Sequence, residues 1–569
     1  MALFVSPTDR NKLTHLLIAC TAGNLCFVRR WYDLERLQGS GLDYYRESPQ
    51  TPDLFIATLL ASFLMTCVFY FGWKWTTYGA PWRKRAGLSI FAFVLVFPFE
   101  SIRRYWNIET GRFDWGSNVA LLALELVLSV GGIMALRGDV SVARSAQKAL
   151  LCLSLLLPVL VFDFSMGLFN REKEDAFEKP APLPMFAARP PHSPRVVWIV
   201  FDELDQRLAF DVRPNGLPLP EFDRIRAEAV VADHATPTAD WTVIALPSLI
   251  SGRIYSKAQM MDARTLRVTP EGTSEALNWR EQPNIFKQAR ALGVNAEIIG
   301  WHHPYCRVLG DQMPGCFAMP SGHPTQALLR ETHAAEDGVW MTTHFLFRLQ
   351  WENLRDLFRA NRDSVSENLK DQFLQRRQQK QYFEIRDRAY RAAVDPRLGM
   401  LMLHLPLPHP YAFYNRRERS FNLNGPIDYF DNLALADRTL GELRLALEQA
   451  RLWNDTTLLI TSDHGMRPDT WEGHLGWTDE LERLTGGVHG KTVPFILKLA
   501  GAHEPLQFSK PFSNVASSRL VLAVLTGNVS TPAQAMAWLD AFSAEPPSGH
   551  TAEKTPVVAR VPRTARAMR

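Results

Sequence analysis

Val196-Val-Trp-Ile-Val-Phe-Asp-Glu203 is the stretch on which the fold turns. Its apolar, β-branched run shows no alternation and ends on two carboxylates. That is the pattern of a strand buried on both faces, as in a parallel sheet covered by helices. Similar runs recur at Ala296-Glu-Ile-Ile-Gly-Trp301, Met400-Leu-Met-Leu-His404, Thr456-Thr-Leu-Leu-Ile-Thr-Ser462 and Val493-Pro-Phe-Ile-Leu-Lys498. Helical patterns lie between them, including a long polar one over roughly 350–393. Strands alternating with helices predict an α/β fold: a mostly parallel sheet sandwiched by helices. In such sheets ligands bind beyond the carboxyl ends of the strands. Four of the runs lead into polar groups there: Asp202-Glu203, Trp301-His302-His303, His404 and Asp463-His464. Four coincidences at one sheet edge predict one site.

Upstream of Val196 the composition changes. Residues 171–195 are charged and proline-rich, which predicts an extended spacer rather than a packed element. Residues 1–170 hold nearly all the long apolar runs, with candidate membrane spans at roughly 12–28, 53–73, 86–100, 117–135 and 149–168. The second carries about twenty uncharged residues, enough for a hydrocarbon core of about 30 Å. The fourth includes Glu125, which needs a partner or an aqueous crevice. The first lacks a signal-peptide cleavage site and reads as an anchor. Positive charge sets orientation: Trp82-Arg-Lys-Arg85, with Arg137, Arg144 and Lys148, puts the loops after spans two and four in the cytoplasm. Arg29, Arg30, Arg36 and Arg46 oppose that arrangement and are outweighed by the Arg-Lys-Arg cluster. The expected organisation is a membrane region of about five helices over 1–170, a linker over 171–195, a catalytic domain over 196–542 and a disordered basic tail over 543–569.

With 63 basic and 59 acidic residues the chain is nearly balanced, and no basic stripe or reader motif points to nucleic acid. Cys20, Cys26, Cys67 and Cys152 fall in apolar segments, where they act as small hydrophobes. Cys306 and Cys316, ten residues apart around a Pro-Gly turn, could bridge in an oxidising compartment or remain two thiols.

In Thr461-Ser-Asp-His-Gly465 a carboxylate and an imidazole stand side by side at a strand end, a pair suited to zinc or manganese, although Asp-Gly and His-Gly pairs also make plain turns. Adjacent Asp202 and Glu203 repel unless solvated or neutralised by a cation; a helix N-terminus is the ordinary alternative. Thr242 opens an apolar helical pattern, either as an N-cap or as a hydroxyl nucleophile beside a cation.

Together these segments resemble the alkaline phosphatase/sulfatase superfamily over most of residues 195–500. Sulfatases carry a Leu-x-Ser/Thr-Gly ending ten residues after their nucleophile, as Leu249-Ile-Ser-Gly252 lies relative to Thr242. The family's early acid matches Asp202-Glu203, and its late Asp-His-Gly matches Asp463-His464-Gly465. More closely, the chain is similar to membrane-bound phosphoethanolamine transferases and lipoteichoic-acid-type phosphoglycerol transferases. The spacing of His404 and His409, the Tyr429-Phe-Asp-Asn432 segment and the later His489-Gly490 carry that likeness. The chain departs from it in reading Phe-Asp-Glu for Gly-Glu, in lacking small dipeptides around Thr242, and in lacking a His-Gly-Pro after His404.

The resemblance implies a single divalent ion, zinc first with manganese, magnesium or calcium as alternatives and a second ion left open. Its ligands would be Asp202, Glu203, Thr242, Asp463 and His464, with Thr242 as catalytic nucleophile. His404, His409, His489 and Lys491 would bind substrate phosphate or protonate the leaving group. The Cβ methyl of threonine bars oxidation to the formylglycine aldehyde, so direct attack on phosphorus is the expected chemistry. The implied donor is a membrane phospholipid and the acceptor an envelope glycan or lipid hydroxyl, at a bacterial-type inner membrane with the catalytic domain extracytoplasmic. The rivals are a membrane-tethered phosphodiesterase, phosphatase or sulfatase-like hydrolase using water, and an inactive binding protein on the same fold.

Overall fold

The run Val196–Asp202 (β1) lies inside a nine-stranded sheet with parallel neighbours on both sides. This computed structural model describes all residues except 1–6, 28–30, 32–41, 48–51, 78–79, 91, 93–95, 97–114, 139–140, 171–173, 188, 190–192, 321–337, 358–364, 422–426, 473–475 and 545–569. The remaining strands are Val230–Thr236 (β2), Tyr255–Met260 (β3), Leu266–Pro270 (β4), Leu277–Asn278 (β5), Ala296–His302 (β6), Gly315–Pro320 (β7), Met400–Pro408 (β8), Thr457–Ser462 (β9), Val493–Lys498 (β10), Leu506–Phe508 (β11) and Phe512–Ser513 (β12). The large sheet runs β11-β2-β10-β9-β1-β8-β6-β7, with β12 also on β2, and β3-β4-β5 form a separate small sheet. From β9 to β7 every pairing is parallel, whereas β10 is antiparallel to both β9 and β2. The α/β sheet is therefore mixed but mostly parallel.

The uninterrupted apolar runs follow from this position. Trp198, Val200, Ile298, Met400 and Met402 pack into one core, while Val197, Ile199, Phe201, Ile299 and Leu403 pack into the core on the other face. A strand covered on both faces cannot alternate with polar residues without stranding them, at a cost of a few kcal/mol each. The helix Tyr429–Gln449 covers part of the second face and starts on a capping box between Asp428 and Asp431. Its first residue, Tyr429, accepts from the amide of Asp205 at 3.0 Å and donates to the carbonyl of Glu203 at 2.9 Å. The helix thereby fixes the chain as it leaves β1.

The proline-rich segment is a correction to the sequence reading. Its described part is seated on the catalytic domain rather than acting as a free spacer. Phe186 exchanges hydrogen bonds with the Asn295 side chain, Leu183 donates to the Met313 carbonyl, and Arg264 and Arg290 donate to carbonyls between Asp175 and Pro184. Extended proline-rich backbone keeps its carbonyls free, and the domain's arginines and Asn295 use them.

The N-terminal half contains helices Pro7–Cys26, Pro52–Thr77, Trp115–Leu136, Ser141–Leu153 and Leu157–Asn170, and the short turn Leu42–Tyr45. Among the described residues one helical stretch, Phe55–Trp75 with 21 residues, is long and apolar enough to cross a membrane. The expected third span, 86–100, and the tail, 543–569, lie largely outside the described residues.

Candidate active site

Two parallel neighbours deliver the acids. Phe201 of β1 is in register with Ser462 of β9, so Asp202 and Asp463 leave the same sheet edge side by side, both fully buried. The backbone then turns: Glu203 adopts a left-handed φ of 68°, and its amide reaches Asp463 Oδ1 at 3.3 Å. The amide of His464 donates to the same Oδ1 at 2.8 Å, which leaves Oδ2 turned to the cluster. Gly465 is required here, because a Cβ would meet the carbonyl oxygen of Gly490 at 2.5 Å. That close approach brings the His489-Gly490 loop against the Asp-His-Gly turn.

His464 Nδ1 lies 2.9 Å from the Gly465 carbonyl, which can only accept, so Nδ1 carries the hydrogen. Nε2 is then bare, and it faces Thr242 Oγ1 at 3.1 Å, Asp463 Oδ2 at 3.4 Å and Asp202 Oδ1 at 3.6 Å. Thr242 is the first residue of the helix Thr242–Ser251, with Trp241 at the N-cap. Its hydroxyl is thus not spent on capping, and it also lies 3.5 Å from Asp202 Oδ2.

His404 completes the wall. Its Nδ1 lies 3.1 Å from the Trp301 carbonyl, so Nε2 is bare and turned to Asp202 Oδ2 at 3.6 Å. His409 stands 4.7 Å from the Trp301 ring, interacts electrostatically with Asp202, and has Nδ1 against the Pro410 carbonyl. Burial lowers His404 to about 4 and also lowers His409 and His464. Burial, with Asp202 next, raises Asp463 to about 8, and burial raises Asp202 to about 6.

Lone pairs therefore converge. Among the described residues Asp202 Oδ1, Asp463 Oδ2 and His404 Nε2 have no hydrogen-bond partner, although all are buried. Ligand atoms of Asp202, Asp463 and His464 lie within 4.8 Å of one another. Buried acceptors facing acceptors are costly unless a cation sits among them, and two carboxylates with an imidazole suit a divalent transition ion. The residues fit the ion that the sequence implies.

Glu203, expected among the ligands, is turned away, and this corrects the sequence reading. Its carboxylate receives Arg467 Nε at 2.8 Å, the Trp471 indole N–H at 3.0 Å and the Thr470 hydroxyl at 3.3 Å. Glu203 lies one residue past the end of β1 with a left-handed φ of 68°, and that turn carries its carboxylate away from that of Asp202. Of the expected substrate-binding groups, His404 and His409 flank Asp202. His489 is surface-exposed and paired with Asp469 at 3.0 Å, and Lys491 is exposed. Cys306 and Cys316 form a disulfide with a Cα–Cα distance of 5.5 Å, tying the turn after β6 to β7.

Two participants, Arg467 and Tyr44, escaped the sequence reading, and the role of a third, His303, was not read from it. Arg467, four residues past Asp463, is buried, pairs with Glu203 and lies over the exposed Trp241 ring at 4.7 Å. His303, one of the polar groups expected at the sheet edge, is buried with Nε2 3.2 Å from the Thr242 carbonyl. Tyr44, from the N-terminal half, meets the other side of that ring. A cation soon after the Asp-His-Gly segment was a readable signal for Arg467; nothing local marks Tyr44.

A family model described as type I phosphodiesterase / nucleotide pyrophosphatase matches residues 196–510. No curated protein matches the chain. Similar solved structures include the phosphonate monoester hydrolase of Agrobacterium radiobacter, at 15% identity and TM-score 0.32 over 58% of this chain and 74% of that one. The PsFucS1 sulfatase from Pseudoalteromonas sp. has 16% identity and TM-score 0.37 over 61% and 74%. The murine ectonucleotide pyrophosphatase/phosphodiesterase 5, solved with AMP, has 12% identity and TM-score 0.32 over 58% and 95%.

Proposed function

Since this chain belongs to the type I phosphodiesterase / nucleotide pyrophosphatase family of the alkaline phosphatase superfamily, we propose that it is a membrane-bound, metal-dependent phosphotransferase. It would move a phospho-headgroup from a phospholipid to a hydroxyl acceptor on an envelope glycan or lipid. The observation that carries the reading is the Thr242 hydroxyl, uncommitted to capping, 3.1 Å from His464 Nε2 and 3.5 Å from Asp202.

In this reading Thr242 Oγ1 attacks phosphorus in line as the P–O bond to diacylglycerol breaks, so diacylglycerol leaves and the phospho-headgroup stays on Thr242. The acceptor oxygen then attacks the same phosphorus, the P–Oγ1 bond breaks, and the acceptor's proton returns to the threonine hydroxyl. Asp202, Asp463 and His464 would hold a divalent ion, zinc first, which lowers the pKa of the hydroxyl and offsets charge on the phosphoryl oxygens. The amides at the start of the Thr242–Ser251 helix add positive potential at the same point. His404 and His409 flank Asp202 and line the position of the phosphoryl group, where the bare Nε2 of His404 can take the proton of the acceptor hydroxyl. Membrane attachment is supported by Phe55–Trp75, and by exposed Leu126, Leu155 and Phe162 in the neighbouring N-terminal helices.

The second reading replaces the acceptor by water, giving a phosphodiesterase; the description of the matched family favours it. Incubating purified protein with total membrane lipid, then measuring the mass of the peptide containing Thr242, tests both. A phospho-headgroup adduct with product on the acceptor supports transfer. An adduct that decays only to free headgroup phosphate supports hydrolysis. Turnover with no modification at Thr242 rejects the mechanism.

A further inference from the structure

The helix Gly338–Leu357 is encoded within the catalytic half, between β7 and β8, yet it packs on the N-terminal half. Val339, Leu346 and Phe347 join one apolar cluster with Phe27, Phe55, Ala57 and Ala61. Among the residues whose exposure is described, those exposed on its other side are Trp340, Met341, His344, Arg348 and Trp351. At α-helical spacing these five fall within an arc of about 100°. Trp340 and Trp351 are 69% and 61% exposed, far above what an indole on a water-facing helix needs to be.

The helix that Gly338–Leu357 packs against also exposes apolar side chains. On Pro52–Thr77, against which the helix packs, Phe63, Val68, Phe71 and Trp75 are all exposed. Tryptophans with an arginine and a methionine on one helical arc are the side chains of a membrane interface. The indoles settle at headgroup level, and the guanidinium meets lipid phosphate. A helix with one face packed on an apolar segment of membrane-spanning length and such residues on its other face has the side-chain arrangement of an interfacial helix.

We propose that the exposed face of Gly338–Leu357 lies in bilayer phospholipid at the headgroup–acyl boundary. The proposal rests on the reading of Phe55–Trp75 as a membrane span. It adds a second anchor, one contributed by the catalytic half itself. It also connects the bilayer to the site, because the next helix, Val365–Ala393, bears Gln378. The Gln378 amide donates to the carbonyls of Pro406 at 3.3 Å and His409 at 3.4 Å, and accepts from the Tyr411 amide at 3.1 Å. The segment carrying His409 is thus held by a helix that follows the lipid-facing one.

The test uses the full chain in nanodiscs of phosphatidylethanolamine and phosphatidylglycerol, with Cys20, Cys26, Cys67 and Cys152 changed to alanine. Spin labels are placed by Trp351→Cys, by Phe63→Cys on the span, and by Val488→Cys on the exposed surface of the catalytic domain. Power saturation compares collision with oxygen, which enriches in lipid, and with a water-soluble nickel chelate. The expected result is that Trp351→Cys favours oxygen as Phe63→Cys does, with Val488→Cys favouring nickel. A nickel-accessible label at 351 beside an oxygen-accessible label at 63 overturns the proposal while the span stands. Labels at both positions that favour nickel overturn the span, and the proposal with it. A label at 351 shielded from both reagents shows that protein, such as a second copy, covers the face, and also overturns it.

Discussion

The hydroxyl of Tyr44 lies 2.9 Å from Nδ1 of His303, a contact between residues 259 apart in the chain. The far side of the same ring fixes who donates. His303 Nε2 lies 3.2 Å from the Thr242 carbonyl, which only accepts, so Nε2 carries the hydrogen. Burial lowers His303 to about 3, so the ring is neutral, Nδ1 is bare, and Tyr44 must donate. The turn that presents Tyr44 is held by Arg307, which donates to the carbonyls of Tyr44 and Arg46 at 2.6 Å each. A turn in the N-terminal half thus supports the backbone of the proposed nucleophile.

Tyr44→Phe removes that donor and leaves a buried ring nitrogen unsatisfied, at a cost of about 1–3 kcal/mol. Turnover of a soluble phosphodiester should fall roughly tenfold with KM unchanged, because the residue positions Thr242 rather than touching substrate. Combined with His303→Ala, its effect should be less than additive. Strict additivity of the two substitutions would show that they do not act through one another.

Thr242→Ala should lower turnover by on the order of 10³-fold or more, since among the described residues Thr242 is the hydroxyl within hydrogen-bond distance of His464 Nε2. Thr242→Ser keeps the oxygen and should retain measurable activity with an adduct at the same position. Near-normal activity in the alanine variant would assign the nucleophile elsewhere.

Asp202 and Asp463 make stability depend on pH in opposite ways with and without an ion. Burial, with Asp202 next, raises Asp463 from 3.8 to about 8, so between these values the folded chain holds a proton that the unfolded chain has released. Metal-free protein should therefore lose stability as the pH rises across that window. Zinc binds the ionised pair, and its stabilising effect should grow as the pH rises from about 6 to about 8. Thermal unfolding of chelated and zinc-loaded protein measures both slopes; a zinc effect independent of pH would remove these carboxylates from the ligand set.

Glu203→Gln leaves the Arg467 charge buried and without its carboxylate. Breaking such a pair costs about 3–5 kcal/mol. The variant should unfold at markedly lower temperature yet bind zinc with unchanged stoichiometry. Loss of the ion with stability intact would return Glu203 to the ligands.

Orientation is open to direct measurement. Reporter fusions of alkaline phosphatase, which fold only in an oxidising compartment, should be active after residue 195 and silent near Lys84. The reverse pattern would put the Cys306–Cys316 bridge on the reducing side, where such bonds do not persist.

The sequence by itself determined the sheet, because a strand buried on both faces has to be written as an unbroken apolar run. Val196–Phe201, Ile298–Trp301 and Leu458–Ile460 leave no other reading. It also placed Asp202, His404, Asp463 and His464 at one edge, since parallel strands deliver their carboxyl ends there, whereas Thr242 opens a helix and was expected beside them only from the family resemblance. The direction of each side chain was decided only by tertiary structure. Asp202 and Glu203 are indistinguishable as neighbouring carboxylates until the left-handed turn at Glu203 sends one to the cluster and the other to Arg467 and Trp471. The proline-rich segment read as a spacer because composition reports backbone stiffness, while the arginines and Asn295 that hold it lie 86 or more residues on from the groups they bond. Tyr44 and Trp351 carry no local mark of their surroundings. Hydrophobic periodicity tells which face of an element is covered, but contacts between distant segments depend on how those elements pack, and that is set by the whole fold.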